Sequence, residues 1–251
     1  MPKIALITGA NRGLGKNTAL RLAEDGVDVL ITYRSNADEA QDVVDTVTKL
    51  GRTAVAFQLD TGRVETFDAF AADVRTALAD RWGRDTFDYL VNNAGIGIYG
   101  SFAETSVDTF DQLMSIHFRG VFFLTQQLLP LLADGGRIVN LSTGLTRFTR
   151  PGFAAYASMK GAVEVFTHYL AKELGPRGIT ANVVAPGPIA TDFAGGVIRD
   201  SEEYQAQLGS EAALGRVGEP DDIGGVIASL LSDRNAFVTA QRLEASGGTL
   251  I

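Results

Sequence analysis

Tyr156 and Lys160 stand four residues apart in the segment Tyr156-Ala157-Ser158-Met159-Lys160. On a helix that spacing is about 400° of rotation, so both side chains leave the same face. A phenol titrates near an ordinary pKa of about 10 and is a poor acid–base group at neutral pH. A neighbouring ammonium stabilises the phenolate and draws that pKa towards the working range. The pair therefore suits giving a proton to, or taking one from, an alcohol oxygen during hydride transfer. Taken alone, Tyr-x₃-Lys is common and usually means a packed tyrosine beside a surface lysine. Its weight comes from the other motifs in the chain.

The first of these is Thr8-Gly9-Ala10-Asn11-Arg12-Gly13-Leu14-Gly15, which follows a short apolar run. Glycines there let the backbone turn tightly against a pyrophosphate, and the next helix offers its N-terminal N–H groups to that charge. Gly9, Asn11, Arg12, Gly13, Leu14 and Gly15 are thus candidate cofactor contacts. The spacing is Gly-x₃-Gly-x-Gly, and a tight structural turn can produce the same letters. Placement between the first strand and first helix of a β-α-β run favours the dinucleotide reading.

The end of the second strand then selects the cofactor. A fold that prefers NAD usually places Asp or Glu there, on the adenine ribose 2′-hydroxyl. Here Tyr33-Arg34-Ser35 occupies the position, without a carboxylate. Arg34 and Arg12 can bracket a 2′-phosphate, with Ser35 adding a hydrogen bond. Charge-assisted bonds of about 1.5–3 kcal/mol each set a preference of about tenfold or more, which points to NADP(H). Asp60, ending the third strand, is placed to accept from the adenine amino group. Asn92-Asn93-Ala94-Gly95 closes the fourth; Asn93, Ala94 and Gly95 suit a backbone passing close to a ribose, or simply a strand-ending turn.

These groups need a frame that brings them together. Residues 3–8, 27–33, 53–59, 86–91, 136–142 and 178–185 read as strands, with a seventh near 241–245; several are continuously apolar, as strands buried on both faces should be. Helices are expected over 14–25, 37–50, 64–81, 106–133, 154–174 and 220–232, with Asn36 and Ser106 as start signals and Gly26, Gly51, Gly135 and Gly175 at helix ends. Strict alternation predicts an α/β fold, a single-domain Rossmann-like doubly wound parallel sheet with helices on both faces. One domain spanning 1–251 is expected, with a lid of short helices at about 188–218.

Composition removes other chemistries. The 251 residues carry a net charge of −8 and no cysteine, so no disulfide, thiol nucleophile or cysteine-built metal site is available. Two histidines exclude an all-His site, and no metal is expected. An acidic surface argues against nucleic acid or an anionic membrane as partner. Neither a signal sequence nor a run of about 18 apolar residues is present, so the expected location is cytoplasmic.

Thr8–Gly15, Asn92–Gly95, Tyr156–Lys160 and Ala185-Pro186-Gly187 fall in the order and spacing of the short-chain dehydrogenase/reductase family, and the resemblance covers essentially the whole chain. The chain resembles the branch that includes β-ketoacyl-carrier-protein reductases and glucose dehydrogenases. The resemblance implies that Tyr156 is the acid/base and that Lys160 holds the nicotinamide ribose and lowers the tyrosine pKa. It also implies that Thr191, in Pro188-Ile189-Ala190-Thr191, touches the carboxamide. Asn93, Val184 to Gly187 (Pro186 and Gly187 included) and Ile189 would line the nicotinamide half. A homotetramer, or a homodimer, is implied through helices 106–133 and 154–174 and the last strand.

Two positions depart from that pattern. The serine that orients the substrate carbonyl usually stands 13 residues before the tyrosine; here the residue is Thr143, with Ser142 beside it. Either hydroxyl can serve. The helix asparagine that anchors a proton-relay water is replaced by His117, which can hold water and add a titration near its ordinary pKa of about 6.5, or simply pack. Arg147, Phe148 and Arg150 fall in the substrate-facing loop and point to an aromatic or acidic substrate. The leading expectation is NADPH-dependent hydride transfer between NADP(H) and a small-molecule carbonyl or secondary alcohol. An NADPH-binding sensor or scaffold is the alternative, and an epimerase or dehydratase on the same fold a third.

Overall fold

Alternation of apolar residues within each short run decides which helix layer a side chain meets. The computed structural model describes residues 2–251. Its seven strands are β1 (Ile4–Ile7), β2 (Asp28–Tyr33), β3 (Ala54–Gln58), β4 (Phe87–Asn92), β5 (Leu132–Leu141), β6 (Thr180–Pro186) and β7 (Arg242–Ala245). All pair in parallel in the order β3-β2-β1-β4-β5-β6-β7. The order reverses between β1 and β4, which opens a crevice at their carboxyl ends.

Eight α-helices cover the sheet: α1 (Gly13–Glu24), α2 (Ala37–Lys49), α3 (Phe67–Trp82), α4 (Val107–Met114), α5 (Gly120–Leu128), α6 (Ala154–Leu174), α7 (Glu202–Ser210) and α8 (Pro220–Leu231). Ala5, Ile7, Val29 and Ile31 point to the layer holding Ala19 and Leu22 of α1 and Ile223 and Ile227 of α8. Ile4, Leu6 and Leu30 point the other way, to Val74 of α3, Leu124 of α5 and Ala171 of α6. This is the doubly wound single domain expected from the sequence. Among the described residues no helix is long and apolar enough to cross a membrane.

Start signals act as read: Asn36 accepts from the Glu39 N–H and Ser106 from the Thr109 N–H. Several boundaries differ: α3 starts at Phe67 after a 3₁₀ turn, Val64–Thr66, and Gly135 lies inside β5 rather than at a helix end. The helix expected over 106–133 is α4 and α5 joined by a π-helical turn, Ser115–Arg119, and it ends in a 3₁₀ turn, Leu129–Leu131. Pro130 lacks the N–H that would continue the α ladder. β5 accordingly starts at Leu132 and pairs with Phe87 before a register shift, whereas the expected strand began at 136. Gly175 stays helical and opens a 3₁₀ turn, leaving Gly178 to take the left-handed φ.

The segment expected as a lid contains a 3₁₀ turn, Phe193–Gly196, and α7. A bridge from Ile189 to Gly218 joins its two ends, and one from Ala212 to Thr249 ties it to the chain after β7.

Candidate active site

A cavity of ≈ 670 Å³ runs along the carboxyl ends of the strands, and Gly9, Arg34, Asp60, Asn93, Thr143 and Gly187 reach it from six of them. At one end lies the glycine turn, with Gly9 at φ +64° and Gly13 at φ +56°. The N-terminus of α1 has no side-chain cap and no acidic residue in its first turn. By contrast α2, α4 and α7 are capped by Asn36, Ser106 and Ser201. The first turn of α1, with Gly13 and Leu14, thus meets the cavity without a side-chain cap.

Asn11, Arg12, Leu14, Arg34, Ser35 and Asp60 line this end. Asp60 also accepts from the Gly62 N–H at 2.9 Å. Gly15 and Tyr33 do not line the cavity. A Cβ on Gly15 would come within 2.5 Å of both the Asn93 amide nitrogen and the Gly9 carbonyl oxygen, so this glycine packs behind the turn. Asn93 ties that turn to β4 by donating to the carbonyls of Thr8 (2.9 Å) and Gly9 (3.1 Å). Tyr33 packs against the core layer of α1 and α2. One carboxylate escaped the sequence reading: Glu39, carried in by α2, lines the same end and accepts from Asn11 at 2.6 Å.

At the other end α6 buries Tyr156, Met159, Lys160, Val163 and Thr167 on its inward stripe. Lys160 Nζ donates to the Leu141 carbonyl at 2.8 Å, and burial lowers its pKa to about 8. Nζ sits 5.9 Å from the centre of the Tyr156 ring. The tyrosine pKa is not lowered as expected. Burial raises it above its ordinary value, and a hydrogen bond with Thr143 only partly offsets this. Thr143 and Ser142 are distinguished by their partners. The Thr143 hydroxyl accepts from the Leu145 N–H at 3.3 Å, while Ser142 donates to Glu164 Oε1 at 2.5 Å. Pro186, Gly187, Ile189 and Thr191 line the stretch of cavity wall contributed by the chain after β6, and Ala94 and Gly95 that after β4.

The family model described as enoyl-(acyl carrier protein) reductase matches residues 9–249. The 3-oxoacyl-[acyl-carrier-protein] reductase of Staphylococcus aureus is 34% identical over 250 residues, covering 99% of this chain and 98% of that protein. The chain belongs to the short-chain dehydrogenase/reductase family. Among solved structures, the promiscuous reductase LugOII, which catalyses keto-reduction at C1 in lugdunomycin biosynthesis, superposes with a TM-score of 0.94 at 35% identity, over 99% of this chain and 98% of that one. The angucycline C-6 ketoreductase LanV with bound NADP gives 0.93 at 35% identity, over 99% and 95%. This short-chain dehydrogenase/reductase is accordingly an oxidoreductase of a family that uses NAD(P)(H).

His117 lies in the π-helical turn of this family member, fully buried, with its ring edge-on to Tyr156 at 5.0 Å and 88°. Nε2 lies 2.8 Å from the Ile96 carbonyl oxygen and 3.3 Å from the Ile96 backbone nitrogen, and Nδ1 is buried without a partner among the described residues. Burial, then the charge of Lys160, lower the imidazole pKa to about 3. Burial thus opposes the titration near neutrality that the sequence offered as one role for this residue.

The loop arginines are also reassigned. Arg147 turns away from the cavity to Glu244 and the carbonyls of Thr249 and Leu250. Arg150 reaches the cavity but is paired with Glu211. Neither is free to receive an acidic substrate, although Phe148 does line the wall. Glu164 and Arg242 were missed. Glu164 Oε1 accepts from Ser142, Thr146 and Arg242, and Arg242 donates to the Thr143 carbonyl at 3.1 Å. The signal for Glu164 was available, since it lies one helical turn beyond Lys160.

Proposed function

We propose that this chain is an NADPH-dependent carbonyl reductase, acting reversibly as an alcohol dehydrogenase on a small-molecule ketone or secondary alcohol. The observation that carries the reading is the burial of Tyr156 and Lys160 on the inward stripe of α6, with Thr143 lining the same cavity, which is continuous with the glycine turn. When bound, NADPH supplies a hydride to the carbonyl carbon and leaves as NADP⁺. Thr143 fixes the carbonyl oxygen by a hydrogen bond, and Tyr156 gives that oxygen its phenolic proton as the C=O π pair moves onto it. The Lys160 ammonium stabilises the phenolate that remains, until solvent returns the proton. A phenol whose pKa is raised by burial is fully protonated at neutral pH, the form that reduction needs.

The protein's own groups fit the cofactor. Uncapped N–H groups of α1 suit a pyrophosphate, and Arg12, Arg34 and Ser35 suit a 2′-phosphate. Lys160 and Asn93 would hold the nicotinamide ribose, and Thr191 the carboxamide. His117 is assigned to shaping the site around Tyr156 rather than to acid–base work. The 188–218 segment serves as a lid, supported by Phe193, Val197, Tyr204 and Leu208 in the cavity wall. Association as a homotetramer through α4 to α6 is supported by exposed Phe123, Val165 and Tyr169.

Initial rates of NADPH and NADH oxidation with a panel of ketones, aldehydes and quinones test the reading. NADPH-dependent turnover at least tenfold above NADH is expected. NADPH binding without turnover of any carbonyl would instead favour the sensor reading.

A further inference from the structure

The substrate end of the cavity is walled by aromatic rings in contact with one another. Tyr156 lies 5.8 Å from Phe193 and 6.4 Å from Phe153, and Phe153 meets Tyr99 edge-on at 5.7 Å and 75°. Two of these rings rest on glycines that have no room for a side chain. A Cβ on Gly97 would come within 2.7 Å of Phe193 Cε1, and one on Gly152, at φ +89°, would strike the Tyr99 ring. The Gly100 N–H donates to the Gly152 carbonyl at 3.0 Å, joining the loop after β4 to the loop before α6. Yet Tyr99 is 71% exposed and Phe193 42%, so each ring is seated on one side and open on the other.

The loop charges at this end are paired with one another. Arg150 is paired with Glu211 and Asp192 with Arg199. An added carboxylate would meet Asp192, with both Arg150 and Arg199 already paired, and an unpaired buried charge is costly. Open aromatic faces favour flat π systems, whose rings stack offset or edge-on.

We infer that the substrate end is a slot for an uncharged, planar aromatic ketone, gripped by Tyr99, Phe153 and Phe193 with its carbonyl at the Tyr156 hydroxyl. The slot selects rings over flexible acyl chains and neutral substrates over keto acids. This assignment rests on the reductase reading for its chemistry, but not for its binding preference.

Calorimetry on the NADP⁺-saturated protein, and on the protein alone, tests it with three probes: 2-tetralone, ethyl acetoacetate and phenylglyoxylate. Tetralone is expected to bind at least tenfold tighter than either. Phe193→Leu and Tyr99→Leu should each lower the tetralone-to-ketoester affinity ratio about three- to tenfold, as loss of one aromatic contact implies. Equal binding of the ketoester or the keto acid, or an unchanged ratio in both variants, overturns the slot. NADPH oxidation with the same probes separates the two claims. Turnover without preference removes the slot alone, and tetralone preference without any turnover removes the reductase reading alone.

Discussion

Ser142 gives its hydroxyl proton to Glu164 at 2.5 Å, and its neighbour Thr143, which gives Glu164 no proton, lines the cavity with Tyr156. The two hydroxyls are adjacent in sequence but serve different elements. Thr143→Ala is therefore expected to lower kcat/KM for ketone reduction about 10²-fold, the usual effect of losing one donor at a developing oxyanion. Ser142→Ala should stay within about threefold of the parent and cost about 1 kcal/mol of stability. Steady-state kinetics and a denaturation curve on both variants check this, and a reversed order of the two activities would reassign the role.

The basic limb of the pH profile should belong to Lys160. Its ammonium is present below a pKa of about 8 and is lost above it. Phenolate stabilisation goes with that charge, so reductive kcat/KM should be level through neutral pH and fall as pH rises through about 8. The Tyr156 phenol, raised by burial, keeps its proton across the same range and contributes no limb there. Rates between pH 6 and pH 10 in buffers of constant ionic strength test the sign.

No limb should come from His117. With a pKa lowered to about 3, the imidazole is neutral throughout the working range. The profile of His117→Asn between pH 5 and pH 7.5 should have the same shape as the parent, whatever its height. An acid limb near pH 6 that disappears in the variant would show that the ring titrates.

Cofactor preference should respond to charge in opposite directions at two positions. Arg34→Ala is expected to weaken NADPH binding about tenfold and leave NADH nearly unchanged, as loss of one charge-assisted bond to the 2′-phosphate implies. Glu39→Gln, which removes a carboxylate from the same end of the cavity, should tighten NADPH. Fluorescence titration of both cofactors reads both effects, and identical shifts for NADH would detach Arg34 from the 2′-phosphate.

Much of this was legible from spacing. Tyr156 and Lys160 share a face because the helix period dictates it, and the strands announced themselves as short apolar runs ending in Gly9, Arg34, Asp60 and Asn93. What spacing cannot reach is the partner brought from elsewhere in the chain. Arg147 and Arg150 read as free loop cations because Glu244 and Glu211 lie far along the sequence. Ser142 is engaged by Glu164, brought alongside it by α6 from 22 residues on. The helix expected over 106–133 hid a π turn, whose one extra residue leaves no periodic trace, and that turn carries His117. Likewise the raised Tyr156 pKa follows from burial, which no local pattern of residue types sets.

The central claim is that Tyr156 supplies the proton in an NADPH-dependent reduction. Tyr156→Phe, assayed for NADPH oxidation with a turned-over ketone and for NADPH binding by fluorescence titration, tests it most directly. A fall in kcat of at least 10³-fold with an unchanged NADPH dissociation constant is predicted. Turnover that survives the loss of the hydroxyl would contradict it.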